Sequence, residues 1–274
     1  MNNGIPTFVK WAGGKKQLLE QFKLFFPNEI ERYHEPFIGG GAVAFYVIKH
    51  YKPKEIFLSD INEELINAYL MIRNNVEELI KLLKEHKKNH NEEYYYKIRA
   101  LKPENLSKVE RAGRLIYLNK TCFNGLYRVN SKGKFNVPIG SYENPLICPE
   151  KELREISVLL KDAKIECMSF EGVLKNAKME DFIYFDPPYY PLKEGKSFTS
   201  YTKEAFLEKE QRRLAEVFDE LNKRDCKVML SNSDTPLIES LYKKYKPLVV
   251  KAKRMINCNA KGRGEINELI ITNY

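Results

Sequence analysis

The sequence predicts an α/β fold: a mixed, mostly parallel sheet covered on both faces and built from both ends of the chain. Three observations lead there. Short apolar runs read as strands, and they lack the strict polar alternation of a sheet with one wet face. A glycine triplet follows the first run and precedes a helix-like one, the order of a tight strand–helix turn. Residues 62–149 then show helical periodicity without strand–helix alternation, which marks an inserted, mostly helical module.

Element by element, Gly13-Gly14-Lys15 opens a helical pattern with Leu18, Leu19, Phe22 and Phe25 as its apolar positions, and Pro27 ends it. Tyr33 to Phe37 is the first strand, Gly39-Gly40-Gly41 its turn, and Ala42 to Ile48 the helix after it. Lys54 to Ser59 reads as a buried strand ending at Asp60. From Asn62, the residues Leu65, Ile66, Tyr69, Ile72, Val76, Leu79, Ile80 and Leu83 recur at helical spacing. Further helices cover Glu92 to Leu101 and Lys108 to Leu118. Leu126 to Val129, a turn at Asn130 to Gly133, and Lys134 to Val137 read as a hairpin. Alternation then returns. Strands fall at Lys164 to Met168, Asp181 to Phe185, Lys227 to Ser231, Leu248 to Ala252 and Glu268 to Thr272, with helices at Glu204 to Leu221 and Pro236 to Tyr245.

Composition narrows the function classes. At 274 residues, 43% hydrophobic and 30% charged, the chain suits one large soluble domain or two small ones. It has no apolar stretch of the roughly 18 residues a membrane helix needs, and Met1 to Lys10 lacks a secretory pattern, so the cytoplasm is expected. Five scattered cysteines without a C-x-x-C pair argue against a disulfide framework or a zinc ribbon. Four histidines without H-E-x-x-H argue against a catalytic metal. The net charge of +9 favours a polyanionic partner, nucleic acid above all. Two stretches carry basic residues and no acid, Arg111 to Lys134 and Lys243 to Arg263. Either also reads as a solvated surface.

The strongest chemical signal is Asp186-Pro187-Pro188-Tyr189, directly after the strand-like Phe182 to Phe185. Ligands of open α/β sheets sit at the carboxyl ends of strands. An exocyclic amine conjugated with a base ring is a poor nucleophile. A carboxylate at Asp186 and the carbonyl of Pro187 can accept its two hydrogens, Pro188 restricts the turn, and Tyr189 can stack on a base turned out of the duplex. Alone, the motif also reads as a rigid turn. The second signal is Glu35 to Phe45, with its glycine turn, and Asp60 lies 21 residues beyond Gly39, the spacing of a carboxylate on a ribose hydroxyl. That pattern suits a nicotinamide cofactor as well as S-adenosylmethionine. The third, Phe8 to Lys16, is no Walker A loop, because Val9 stands where a glycine is required. Taken alone, Trp11 and Lys15 read as a core and a surface residue.

Together these segments closely resemble the Dam-type DNA adenine methyltransferases, in the motif order that places target recognition between the cofactor and catalytic motifs. The resemblance runs through Trp11 to Lys15, Glu35 to Gly41, Asp60 to Asn62, Phe123 to Asn130, Phe135 to Pro138, Asp186 to Tyr189 and Ile271 to Tyr274. It implies a Rossmann-like S-adenosylmethionine-dependent methyltransferase sheet from residues 1–61 and 150–274, with residues 62–149 as a helical target-recognition domain carrying the hairpin. The donor would be S-adenosyl-L-methionine and its product S-adenosyl-L-homocysteine. Cofactor contacts are implied for Trp11, Lys15, Glu35, Pro36, Phe37, Gly39, Gly41, Asp60, Ser169, Phe170 and Asp186. Ser169 departs from the family's usual Asp in a G-D-F pattern, here Met168-Ser169-Phe170. Contacts to double-stranded DNA are implied for Lys10, Phe123, Asn124, Leu126, Arg128, Asn130, Pro138 and Tyr142, with Arg128 bonding a guanine of GATC. By itself Arg128 equally reads as a phosphate contact or a surface charge. The resemblance further implies a prokaryotic or phage-infected cell and a restriction endonuclease of the same site as partner. Cytosine-N4 methylation, a nicotinamide-dependent oxidoreductase and a non-catalytic DNA-binding regulator are the competing readings; cytosine-C5 chemistry is not, since no Pro-Cys dipeptide is present.

Overall fold

Strands at Arg32–Glu35 (β1), Glu55–Asp60 (β2), Lys164–Cys167 (β3), Phe182–Phe185 (β4), Lys227–Ser233 (β5), Leu248–Lys253 (β6) and Glu265–Thr272 (β7) join in one sheet of order β3-β2-β1-β4-β5-β7-β6. The computed structural model describes residues 4–11, 13–130, 133–191, 206–253 and 265–274. Pairing is parallel from β3 across to β5, and β7 runs antiparallel between β5 and β6. The chain builds outward from β1 to β3, then returns to lay β4 on the other side of β1. That reversal makes the carboxyl ends of β1 and β4 the switch point at which open α/β sheets bind ligands. The glycine turn leaves one strand there and Asp186 leaves the other.

The apolar strands lack polar alternation because both faces are buried. Phe182 and Tyr184 of β4 join the core on one face, while Ile183 and Phe185 join the core on the other. The second face is covered by Glu208–Lys223 (α8), whose Leu214, Val217, Phe218 and Leu221 recur at helical spacing. The first face carries Leu19–Phe22 (α1) and Ala42–Tyr51 (α2). Residues 62–149 add Glu63–Asn74 (α3), Val76–Lys88 (α4), Glu92–Ala100 (α5) and Lys108–Thr121 (α6), whose buried side chains continue that same core. Asn62 caps α3 by accepting from Leu65 N at 3.1 Å, and Ser107 with Glu110 forms a capping box on α6.

Several expectations need correction. The helix opening at Lys15 is broken into 3-10 turns at Lys15–Gln17 and Lys23–Phe25 flanking the four-residue α1. Phe26 is extended ahead of Pro27, so the proline ends the segment as expected. The long pattern from Asn62 is two helices, interrupted where Asn75 takes a non-helical backbone; periodicity persists because both bury the same side. Glu150–Leu159 (α7) escaped notice and packs against α2, α3 and α4. Pro236–Tyr242 (α9) ends in a 3-10 turn at Lys243–Tyr245. The expected helix start at Glu204 lies outside the described residues.

The hairpin is present without regular strands: isolated bridges pair Val129 with Phe135 and Cys122 with Ile139. Main-chain bonds run from Asn130 N to the Lys134 carbonyl at 2.9 Å and from Asn136 N to the Arg128 carbonyl at 3.1 Å, and side chains add to them, Asn130 accepting from Lys134 N at 3.0 Å and Asn136 from Arg128 Nε at 2.7 Å. Some basic residues of the acid-free stretches are already engaged within the protein. Arg111 pairs with Glu63 and Glu64 across 48 and 47 residues, and buried Arg114 donates to the carbonyls of Ile98 and Arg99. In the second stretch Lys244 pairs with Asp219 at 2.8 Å. Lys132, Arg254, Lys261 and Arg263 lie outside the described residues. Among those described, no helix is long and apolar enough to cross a membrane, and no group of three His, Cys, Asp or Glu is placed to hold a metal.

Candidate active site

Asp186 follows directly on β4 at that switch point and meets Lys15, whose Nζ lies 2.7 Å from its Oδ1. Only 4% of the lysine side chain is exposed, so the residue that alone read as a surface charge is a buried partner of the carboxylate. Lys15 Nζ also donates to the carbonyl of Gly13 at 2.7 Å and sits 4.6 Å above the ring of Tyr189. Ser231, from β5, donates to Asp186 Oδ1 at 3.1 Å and accepts from the Tyr184 hydroxyl at 2.9 Å. Burial pushes the Asp186 carboxyl above the usual range, against the opposing pull of Lys15 and Ser231.

The turn itself is held from behind. Gln211 of α8 donates from Nε2 to the carbonyl of Pro188 at 3.0 Å, and its Oε1 accepts from Asn232 Nδ2 at 2.9 Å. Asn232 Oδ1 then accepts from Tyr190 N at 3.3 Å. Both amides are fully buried. The Pro188 carbonyl is thereby committed, leaving that of Pro187 as the candidate acceptor beside Asp186. Tyr189 donates its hydroxyl to Glu268 of β7 at 2.7 Å.

On the β1 side, Glu35 accepts from the Tyr33 hydroxyl at 2.6 Å, and burial holds its carboxyl well above the usual range. Pro36 is buried beside it. The glycine turn is required by its geometry: Gly39 and Gly41 have φ of 47° and 74°, and a Cβ on Gly39 would come within 2.9 Å of Trp11. Asp60 ends β2, accepting from Gly39 N at 3.2 Å and Asn62 N at 2.9 Å. Burial pushes it up to about 6, with those N–H groups pulling the other way. Phe37 stacks on Phe170 at 5.5 Å, and Phe206 sits edge-on to both. Ser169 is exposed, heading the 3-10 turn Phe170–Lys175 without a side-chain cap.

Residues expected to face DNA fall into two groups. Lys10 lies 4.1 Å over the ring of Tyr142 and packs so tightly on Gly125 that a Cβ there would come within 2.4 Å. Buried Asn119 ties the two segments, accepting from Lys10 N at 2.7 Å and donating to the carbonyls of Lys10 and Gly125 at 2.8 and 3.0 Å. Phe123 and Asn124 are exposed, Asn124 with φ of 55°, and Leu126 is half-buried. Arg128, Asn130 and Pro138 are exposed along the hairpin, Arg128 held by Asn136. Trp11 stacks on Tyr127 at 5.5 Å, joining the hairpin to the catalytic side.

Sequence reasoning missed Ser231, Gln211, Asn232, Glu268 and Asn119. The polar Ser231-Asn232-Ser233 ending an apolar strand, and Gln211 on the apolar stripe of α8, were available signals.

The family model for D12 class N6 adenine-specific DNA methyltransferase matches residues 11–256. Type II methyltransferase M.MjaIII of Methanocaldococcus jannaschii is 45% identical, over 98% of this chain and 99% of that protein. Type II methyltransferase M1.LlaDCHI of Lactococcus lactis subsp. cremoris is 44% identical, over 98% and 96%. DNA adenine methylase of Escherichia coli K12 is 34% identical, over 96% and 94%. The chain belongs to the D12 class of N6 adenine-specific DNA methyltransferases.

Proposed function

We propose that the chain methylates N6 of an adenine turned out of double-stranded DNA, with S-adenosylmethionine as donor and Asp186 and Pro187 as the acceptors of the amino hydrogens. The observation that carries this is the placement of Asp186 at the carboxyl end of β4, with Lys15 and Ser231 on Oδ1. Oδ2 is left for one amino hydrogen and the Pro187 carbonyl for the other, while Tyr189 offers its ring to the base. The two acceptors turn the amine's lone pair outward and hold it for in-line attack.

The residues at the strand ends fit an adenosyl cofactor. Asp60, already accepting two backbone N–H groups, suits the ribose hydroxyls. Phe37 and Phe170 offer ring faces to an adenine, and the glycine turn lets the backbone come close. Trp11, Lys15, Glu35 and Pro36 complete the pocket, with Ser169 as a neutral bonding group where the family usually has Asp. When bound, the cofactor supplies a methyl group activated by its sulfonium. Calorimetry tests this reading: Asp60→Ala should lose the cofactor, and Asp186→Ala should lose product formation. Intact product formation in Asp186→Ala would overturn it.

Residues 62–149 act as the recognition domain, with Lys10, Phe123, Asn124, Leu126, Arg128, Asn130, Pro138 and Tyr142 against DNA and GATC as target. The exposed Arg128 guanidinium, pre-set by Asn136, supports a bidentate contact with guanine worth about 1–3 kcal/mol of discrimination. Arg128→Ala should relax base preference while leaving cofactor affinity unchanged. Equal methylation of GATC and its single-base variants by the unmodified protein would remove the target assignment. A restriction endonuclease of the same site is the partner suggested by the Type II names of two relatives.

A further inference from the structure

We propose that Glu268 is a positioning residue for the methyl transfer: acting through the Tyr189 hydroxyl, it sets the plane on which the target base stacks. This rests on the reading of Asp186 to Tyr189 as the site of transfer.

Glu268 is out of place by the logic of its strand. The residues after it on β7, Leu269, Ile270 and Ile271, are all fully buried and apolar, filling the cores on alternate faces. Glu268 is itself only 7% exposed, paired in register with Ser233 on one side and Val250 on the other. An apolar residue there would serve the sheet at lower cost, because a buried carboxylate is expensive unless it is met by donors or charge. Its environment is mixed: Lys15 attracts it, Asp186 repels it, and burial raises its carboxyl above the usual range. What it engages is the Tyr189 hydroxyl, 2.7 Å from Oε2 and 79 residues away in sequence.

That bond completes the immobilisation of the ring. The main chain on either side of Tyr189 is already pinned, Pro188 O by Gln211 and Tyr190 N by Asn232. The ring's two torsions are what remain. Lys15 Nζ lies over one face at 4.6 Å, an interaction that tolerates sliding and tilting. A carboxylate can only accept, so it holds the hydroxyl at the ring tip in one direction. With main chain, face and tip all constrained, the surface for the base is in place before the base arrives.

Four variants form the test: Glu268→Ala, Glu268→Gln, Tyr189→Phe and the double variant Tyr189→Phe/Glu268→Ala. Single-turnover methylation would be read beside thermal melting, cofactor affinity and the fluorescence of 2-aminopurine at the target position. Glu268→Ala and Tyr189→Phe should each slow the methyl-transfer step on the order of 10- to 100-fold, as a misplaced reactant does, with cofactor Kd changed by less than about 3-fold. The double variant should be no slower than the slower single one. The amide oxygen introduced by Glu268→Gln can still accept, so that variant should stay within about 3-fold of the unmodified protein. 2-Aminopurine should brighten in Glu268→Ala as its stacking loosens. Multiplying effects in the double variant would overturn the proposal, as would a fully active Tyr189→Phe beside a crippled Glu268→Ala. Asp186→Ala separates the two levels: if it stays active the reading of the site fails, whereas a dead Asp186→Ala with multiplying effects sinks only the role of Glu268.

Discussion

Lys15→Met isolates what the buried lysine does for Asp186. The two charges are 2.7 Å apart and 4% of the lysine side chain is exposed. At an effective dielectric of about 20, that separation corresponds to about 6 kcal/mol of attraction, a ceiling for the effect. Water entering the vacated space and the surviving Ser231 bond reduce it. An opposite charge beside a carboxylate typically moves it by about 1–3 pH units, or about 1.4–4 kcal/mol. The sign follows from the role. Asp186 must be ionised to accept an amino hydrogen, burial already raises it, and loss of Lys15 raises it further. The inactive, protonated range therefore extends upward. Methylation of a target duplex would be followed as kcat/KM from about pH 5.5 to 9.5, because that ratio reports the free enzyme. The acid limb should rise by about 1–3 units, with much of the lost activity recovered near the alkaline end. Ser231→Ala should move the limb the same way by less. A profile lowered equally at every pH, its limb unmoved, would mean that Lys15 only binds cofactor.

The remaining predictions concern the scaffold around that pair. Gly41→Ala combines a φ of 74° with a Cβ 2.6 Å from the Tyr69 hydroxyl and 2.8 Å from Phe45. A loss of about 2–4 kcal/mol is expected, lowering the melting temperature by roughly 5–15 °C; an unchanged melt would show that the turn relaxes freely. Gln211→Leu strips the donor from the Pro188 carbonyl and strands an Asn232 N–H, costing about 1–3 kcal/mol for each buried group. It should lower kcat at least about 10-fold, and an unaffected kcat beside a lowered melt would leave Gln211 as scaffold alone. Asp60 sits at about 6, raised from an ordinary carboxylate, so its ionisation opposes folding: stability present at low pH is lost as pH rises through about 6, by about 3 kcal/mol in full. A ligand hydroxyl bonded to the carboxylate favours the ionised form, so cofactor affinity should climb as pH rises through the same range, with proton release measurable by calorimetry in two buffers. Asp60→Asn should flatten that dependence, and a dependence that survives the substitution would point to another group.

The sheet was legible because burial on both faces leaves apolar runs such as Phe182 to Phe185, which survive as a pattern without knowledge of their neighbours. The switch point was legible too, since a glycine turn and a carboxylate each follow a strand. The hairpin was legible from its turn, and main-chain bonds join Asn130 to Lys134 and Asn136 to Arg128; the side-chain bonds of Asn130, Asn136 and Arg128 that add to them leave little trace in alternation. The supporting residues stayed hidden for a different reason. Lys15 to Asp186, Gln211 to Pro188 and Glu268 to Tyr189 are meetings of distant segments, fixed by sheet order. Which basic residues are already paired was hidden for the same reason, as Arg111 finds its acids on another helix.

The placement of β7 bears on how the protein is made. Of the seven strands among the described residues it is synthesised last, yet it lies inside the sheet, separating β5 from β6. Until it emerges from the ribosome, β6 has no ladder to join and the edge of β5 stays open to unwanted pairing. The nascent chain must therefore hold a half-sheet with a raw margin, and a premature stop there would remove an interior member, not trim an edge. Commitment to the native state, and protection from aggregation, should thus wait until that strand has been made.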